Sequence, residues 1–384
     1  MAFFRNDAIN RINLQSGIQA LAQGAGQLFL LVFLLRAGVS IPGALLAQAG
    51  ICVVRFALRP VILPLAIRWG LKPLFVAGAV VIGAQYPILA EVHGVGPVLV
   101  AMCVASAVGE VLYFVSYNTY FAALGDEEHR GHQIALGQAL AGAASVIAPL
   151  AAAWALVTVG PRWVFGAIAV VQMLSAIPLL ALPNIVVSRE APGAWNAARP
   201  AALLMAADGW FDASFIYVWQ VALFVALGES FTAYGGVMAL AGLVGAVFGL
   251  WIGRHVDAGH GRRSVWIAYL AAAGVVMLRA VSLHSLWLAA VANALGGLIM
   301  PLVVPPFATA THNMAKASPC PLRAKMVSEG GWDVGCIGAC VTGAALAGID
   351  RTLSTGVLLT LPAIGAAVIL LRRYYPVRDA PVPA

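Results

Sequence analysis

A handful of charged and amide side chains stand inside long apolar runs of this chain, where a charge is costly unless it faces a partner or a cavity. Arg55 and Arg59 lie in IPGALLAQAGICVVRFALRPVILPLAI, Glu110 in AMCVASAVGEVLYFV and Asp333 in SEGGWDVGCIGACVTG. Asp208 and Asp212 lie in LLMAADGWFDASFIYVWQ, four residues apart and therefore on one face of a helix. Two like charges at that spacing repel strongly in a low dielectric, which suits a site that takes up and releases a proton. Glu110 is a third carboxyl of this kind. Gln15, Gln19, Gln23 and Gln27 also recur every four residues. Such a stripe drifts only about 40° per step, so it stays on one broad face. It reads either as a hydrogen-bonding cavity wall, completed by Tyr113 and Tyr117, or as amides that bond packed helices together.

Depth pairs the arginines with acids. Counted from one end of their helices, Arg55 lies about as deep as Glu110, and counted from the other, Arg59 matches Asp333. Two ion pairs are expected, Arg55–Glu110 and Arg59–Asp333, the second a gate. Glu329 lies one turn from Asp333 toward the chain's N-terminal side and reads as interfacial. Arg279 stands near a helix end, where a long side chain reaches the headgroups, so no function is assigned to it.

The elements that carry these residues follow from composition. Of 384 residues 62% are apolar and 10% charged, with 40 glycines and a mean hydropathy of +0.92. An ordinary globular chain carries about 25% charge, so this one is suited to lipid and not to water. Small residues let membrane helices approach closely. A spanning helix needs about 20 apolar residues. The expected spans are about 13–35, 41–67, 73–90, 96–124, 134–158, 162–182, 201–227, 230–252, 265–283, 285–310, 326–347 and 354–371, with the weakest break at Leu283–Ser285. Pro149, Pro301, Pro305 and Pro306 are expected to kink helices five and ten.

With the N-terminus inside, sixteen of the 22 Lys and Arg fall in cytoplasmic segments, among them Arg68, Lys72, Arg130, Arg323 and Lys325. Both termini are therefore expected in the cytoplasm, with the first helix kept as an uncleaved anchor. The connector NIVVSREAPGAWNAARP divides the chain into halves, 1–182 and 201–384, with 183–200 between them. A shift of about 192 residues lays Gly17 on Gly209 and Gly43 on Gly235, as an internal repeat with a site between its copies requires. The +7 charge sits in these loops and implies no nucleic-acid partner. The five cysteines show no CxxC pairing and read as packing residues. The cluster DEEHRGHQ at 126–133 reads as a solvated loop and not a metal site.

The stretch GRHVDAGHGRRS, Gly253 to Ser264, resembles the best-known signature of the major facilitator superfamily through Gly253, Asp257, Gly261, Arg262 and Arg263, with one extra residue before Gly261. The first-half counterpart RWGLKP keeps Arg68, Gly70 and Lys72 but lacks the Asp. AGAASVIAPLAAAW is similar to the Gly-Pro-centred motif of the family's antiporters, with Ala148 in place of Gly before Pro149. The resemblance implies an all-α integral membrane fold of about twelve helices in two six-helix halves. It also implies a carrier with alternating access that moves a small-molecule substrate, and a loop at Gly253–Arg263 that latches one conformation. The helix-five motif leans toward export.

The expected function is a proton-coupled secondary transporter in a plasma membrane, the inner membrane if the cell is bacterial. It is expected to be a monomer without cofactors. The alternatives are an uncoupled facilitator and a non-transporting sensor or assembly protein on the same fold. A membrane enzyme is disfavoured, because no HExxH, His-rich or Gly-x-Ser-x-Gly pattern occurs.

Overall fold

The structure, a computed structural model, describes residues 7–124, 130–256, 261–349 and 353–375. Among the described residues there is no strand, and twelve helices are long and apolar enough to cross a membrane. These are α1 (Asp7–Arg36), α2 (Ile41–Trp69), α3 (Leu71–Ala90), α4 (Pro97–Tyr120), α5 (Ala141–Thr158) and α6 (Pro161–Ala181), followed by α7 (Arg199–Ala226), α8 (Phe231–Gly249), α9 (Arg262–Ser282), α10 (Leu286–Ala315), α11 (Pro321–Ala347) and α12 (Ser354–Tyr374). Six helices precede the connector and six follow it. An even number of spans returns the chain to its starting side, so α1 begins and α12 ends on one face, which we call the terminal face.

Local chemistry sets the helix ends. Ser40 caps α2, its hydroxyl accepting from the Gly43 amide at 3.2 Å, with Pro42 in the first turn. α2 stops at Gly70, whose φ of 79° suits a residue without a Cβ. Ser285 caps α10 in the same way, accepting from Leu288 N at 3.4 Å, which places a true helix start at the weakest expected break. α11 begins at Pro321, five residues before the expected 326. Arg323 and Lys325 are thereby buried in its first turns and are not loop residues. Arg323 donates to the connector carbonyls of Ser188 (3.1 Å) and Arg189 (2.6 Å), which stand in for water.

Two helices depart from α geometry at matching places. α1 makes a π turn at Gln23–Gln27 and α7 at Ala213–Val218. The i→i+5 bonding of such a turn takes in an extra residue and re-aims the side chains beyond it.

Within the first half α3 packs on α4 and α6, and α1 on α5. Across the halves the main contacts are α2 with α11 and α5 with α8, joined by α4 with α11. α7 and α11 approach backbone to backbone. A Cβ at Gly209 would strike the Trp332 carbonyl, and one at Gly335 would strike that of Ala206. Small residues here give van der Waals contact that lipid cannot match.

Candidate functional site

α2 offers Arg55 and Arg59 one turn apart on the face that meets α11, and α11 answers with Glu329 and Asp333 at the same spacing. The result is a ladder of charges between the halves. Arg55 donates from Nη1 to Glu110 of α4 at 2.7 Å and from Nε to Asp333 Oδ1 at 2.6 Å. Arg59 donates from Nη1 to Glu329 at 2.9 Å and from Nη2 to Asp333 Oδ2. Asp333, fully buried, thus accepts from both arginines. Asn118 of α4 donates to the second oxygen of Glu329 at 2.9 Å, and Ser106 donates to that of Glu110 at 3.2 Å. Two guanidinium groups face three carboxylates, and the buried cation of Lys325 lies one turn before Glu329 on α11.

Depth in the sequence pairs Arg55 with Glu110 and Arg59 with Asp333, and the structure brings both pairs into contact. It also joins them into one network through the added bonds Arg55–Asp333 and Arg59–Glu329. Glu329 is a full member of this network and more than an interfacial residue.

Beside the network lies a cavity of about 420 Å³, a size suited to a small molecule. Its wall comes from both halves. Gln23, Gln27, Arg55, Gln85, Tyr86, Glu110, Phe114 and Asn118 line it from the first, and Met205, Tyr217, Gln220, Glu329 and Trp332 from the second. The Arg55 guanidinium stacks over the Trp332 ring at 4.7 Å, a geometry that holds the cation by its face while its edge makes the ion pairs.

The glutamine stripe divides. Gln23 and Gln27, in the π turn of α1, face the cavity. Gln15 and Gln19 do not. They are buried and bonded to each other at 2.6 Å, and the Tyr113 hydroxyl donates to Gln15 at 2.9 Å. Tyr113 stacks on Tyr117 at 5.8 Å and is buried between helices. The expected cavity wall is thereby corrected. Gln15, Gln19, Tyr113 and Tyr117 are packing residues on the terminal-face side of the π turn, because that turn breaks the even spacing of the stripe. Gln85, Gln220, Asn118 and Trp332 replace them. Neutral side chains such as these carry little depth penalty and so leave little trace in the sequence.

Asp208 and Asp212 share the expected face of α7 but stand behind the cavity wall. Trp332, which lines the cavity, donates through Nε1 to Asp212 at 3.2 Å and connects the two regions.

Arg279 overturns the snorkelling expectation. It is only 4% exposed, donates to the Phe215 carbonyl at 2.7 Å and lies over the rings of Phe215 and Trp219. Phe215 belongs to the π turn of α7, where a displaced carbonyl needs a donor. That acceptor, together with two ring faces, offsets the loss of water. Trp219 is held in turn by Asn293 at 2.9 Å.

Among the latch residues, Gly253 lies in the helical turns that extend α8 beyond its apolar span to Val256, Gly261 starts the helix that carries α9, and Arg262 and Arg263 open that span, while Asp257 lies outside the described residues. So do residues 126–129 of the acidic and histidine-containing cluster. In the first-half counterpart, which lacks the Asp, Asn184 of the connector occupies the turn. Its side chain accepts from Lys72 N at 3.1 Å and donates to the Trp69 carbonyl at 2.9 Å.

Toward the face opposite the termini the halves close differently. Phe29 of α1 meets Phe231 and Tyr234 of α8 at 6.1 and 5.5 Å, and Phe224 of α7 meets the same two rings at 5.6 and 5.7 Å. The Tyr234 hydroxyl donates to the Leu28 carbonyl at 3.2 Å.

Residues 16–204 match the sequence model described as Major Facilitator Superfamily. No curated protein matches the chain in sequence. In fold it is similar to the human organic anion transporter MFSD10 (TETRAN), with a TM-score of 0.67 at 15% identity over 94% of this chain and 99% of that one. It is also similar to a POT family transporter solved in complex with 5-aminolevulinic acid, with a TM-score of 0.70 at 12% identity over 94% and 95%. FucP, a transporter of the superfamily solved in the outward conformation, gives 0.63 at 12% identity over 97% and 99%. With twelve candidate spans, this chain is a multi-pass membrane protein whose residues 16–204 match the major facilitator superfamily and whose fold is similar to that of the superfamily's solved transporters.

Proposed function

We propose that the protein is a secondary active transporter that moves a small organic solute by alternating access, coupled to protons and leaning toward export. The observation that carries this reading is the five-membered ion network. It spans the halves, sets three carboxylates against two guanidinium groups with buried Lys325 one turn from Glu329, and reaches the cavity through Arg55, Glu110 and Glu329. A buried carboxylate must be met by a proton or by a cationic group. A site that accepts either one, but not both, couples their movements. The carboxylates of Glu110 and Glu329 on the wall favour a solute with a cationic group, and Arg55 beside them suits an anionic group on the same molecule.

Glu110 is the coupling carboxyl, with Asp208 and Asp212 as a second proton site joined to the cavity through Trp332. Arg55, Arg59 and Asp333 act as the gate. Gln23 and Gln27 contact the solute. The Gly253, Asp257, Gly261, Arg262 and Arg263 loop latches the terminal face, which is the cytoplasmic face of a plasma membrane, and the working unit is a monomer.

The test is proton release or uptake by purified protein on addition of a panel of organic amines, amino acids and sugars, with Glu110→Gln and Asp212→Asn in parallel. Wild type is expected to move protons with at least one amine or amino acid, and Glu110→Gln to keep solute-induced thermal stabilisation while losing the proton signal. Solutes that stabilise wild type without moving any proton would reassign the protein as an uncoupled facilitator.

A further inference from the structure

One turn along α2 from Arg55, and one turn along α11 from Asp333, two thiols face each other across the halves. The sulfurs of Cys52 and Cys336 lie 3.3 Å apart, and Cys340 stands 4.0 Å from Cys336 on the far side. All three are free and fully buried. Ala49, Ala213 and Ala339 complete the buried cluster, and Trp210, Tyr217, Trp332 and Ile337 pack against it. Gln48 points its amide at Cys52 from 3.9 Å. Packing alone explains small residues at a helix crossing, but it does not explain two sulfurs on opposite halves at this distance.

We propose that Cys52 and Cys336 form an oxidation site that joins the two halves by a disulfide and arrests the movement of α2 against α11. A disulfide needs its sulfurs about 2.05 Å apart, so the pair must close by about 1.3 Å. The oxidant is hydrogen peroxide, and the cavity it would enter from shares Tyr217 and Trp332 of its wall with the packing around the thiols. One thiol gives up its proton and its sulfur attacks the peroxide oxygen, yielding a sulfenic acid and water. The second sulfur then attacks the sulfenic sulfur, forming the S–S bond and releasing a second water. Two thiols and one hydrogen peroxide thus give one disulfide and two waters, a two-electron oxidation. Cys340 is on the same helix as Cys336, and a bond between those two would join nothing across the halves.

The bond would sit beside the Arg55–Asp333 contact and keep it from opening. That consequence rests on the alternating-access reading, whereas formation of the bond does not. The purified full chain in lipid nanodiscs is treated with hydrogen peroxide, then alkylated, digested and mapped by mass spectrometry, with hydrogen exchange measured before and after. The expected product is a linked peptide pair containing Cys52 and Cys336, about 2 Da lighter than the two reduced peptides together. Amide exchange in α2 and α11 is expected to slow at least about tenfold and to recover with dithiothreitol. Cys103→Ala should leave both results unchanged. Cys52→Ala and Cys336→Ala, made separately so that one folding failure does not end the test, should each abolish them. A Cys336–Cys340 link, or sulfinic acid on either thiol in place of the link, would overturn the proposal, as would a link that leaves exchange unaltered. A link that forms and slows exchange in a protein that never shows a solute-dependent proton signal upholds the thiol site and counts against proton coupling instead.

Discussion

Near the face opposite the termini α1, α7 and α8 meet through the rings of Phe29, Phe224, Phe231 and Tyr234, whereas deeper in the molecule α2, α4 and α11 meet through two guanidinium groups and three carboxylates. Ring contacts act over short range and are indifferent to protons. Ion pairs act over longer range and change their balance when a single proton arrives. One seam therefore opens by separation alone, while the other also responds to pH and to charged solutes.

The largest expected effect is at Asp333. Asp333→Ala leaves two buried guanidinium groups short of a partner, and its cost is expected at about 3–5 kcal/mol in thermal unfolding of the detergent-solubilised protein. A midpoint close to wild type would show that the network does not hold the halves together. Phe29→Leu tests the other seam. Losing the edge-to-face contacts is expected to cost about 1 kcal/mol beyond the lost area, with the same cost at pH 5 and pH 8. A cost that differs between those pH values would erase the contrast between the seams.

The smallest effect is at Glu91, just beyond α3, which serves as a surface reference for the buried pairs. The hydrogen bonds from Arg162 hold the exposed Glu91 carboxyl below its usual range. A lowered folded value means that its stabilisation is present above the ordinary carboxylate range and is lost as pH falls through the lowered value. Glu91→Gln is expected to leave the neutral-pH midpoint nearly unchanged and to flatten a slight loss of stability in acid. Because the pair is exposed, added salt should mask even that difference.

The twelve spans were legible because apolar length and the rarity of charge are coarse signals that survive any detail of packing. The ion network was partly legible for a related reason. Charges far from a helix end are rare enough that matching depths proposes partners, and Arg55, Arg59, Glu110 and Asp333 are in contact. Glu329 and Asn118 were harder, since an acid near a helix end can be solvated and an amide has many possible partners. The Gln15–Gln27 stripe was legible only as two alternatives, each of which holds for part of it, because a π turn leaves no distinct pattern in composition. Arg279 was misread because distance from a helix end says nothing about whether a carbonyl and two rings wait nearby. The thiol pair was invisible, since its two members are brought together only by the crossing of α2 and α11.

The backbone contact between α7 and α11 has a mechanical consequence. Helices that touch through long side chains have slack, because rotamers absorb small displacements before force is passed on. Where Gly209 lies on the Trp332 carbonyl and Gly335 on that of Ala206, there are no rotamers to absorb anything. Such packing couples the two helices closely, and the helix that holds Asp333 is thereby tied to the one that carries the π turn and Tyr217 and Gln220 of the cavity wall.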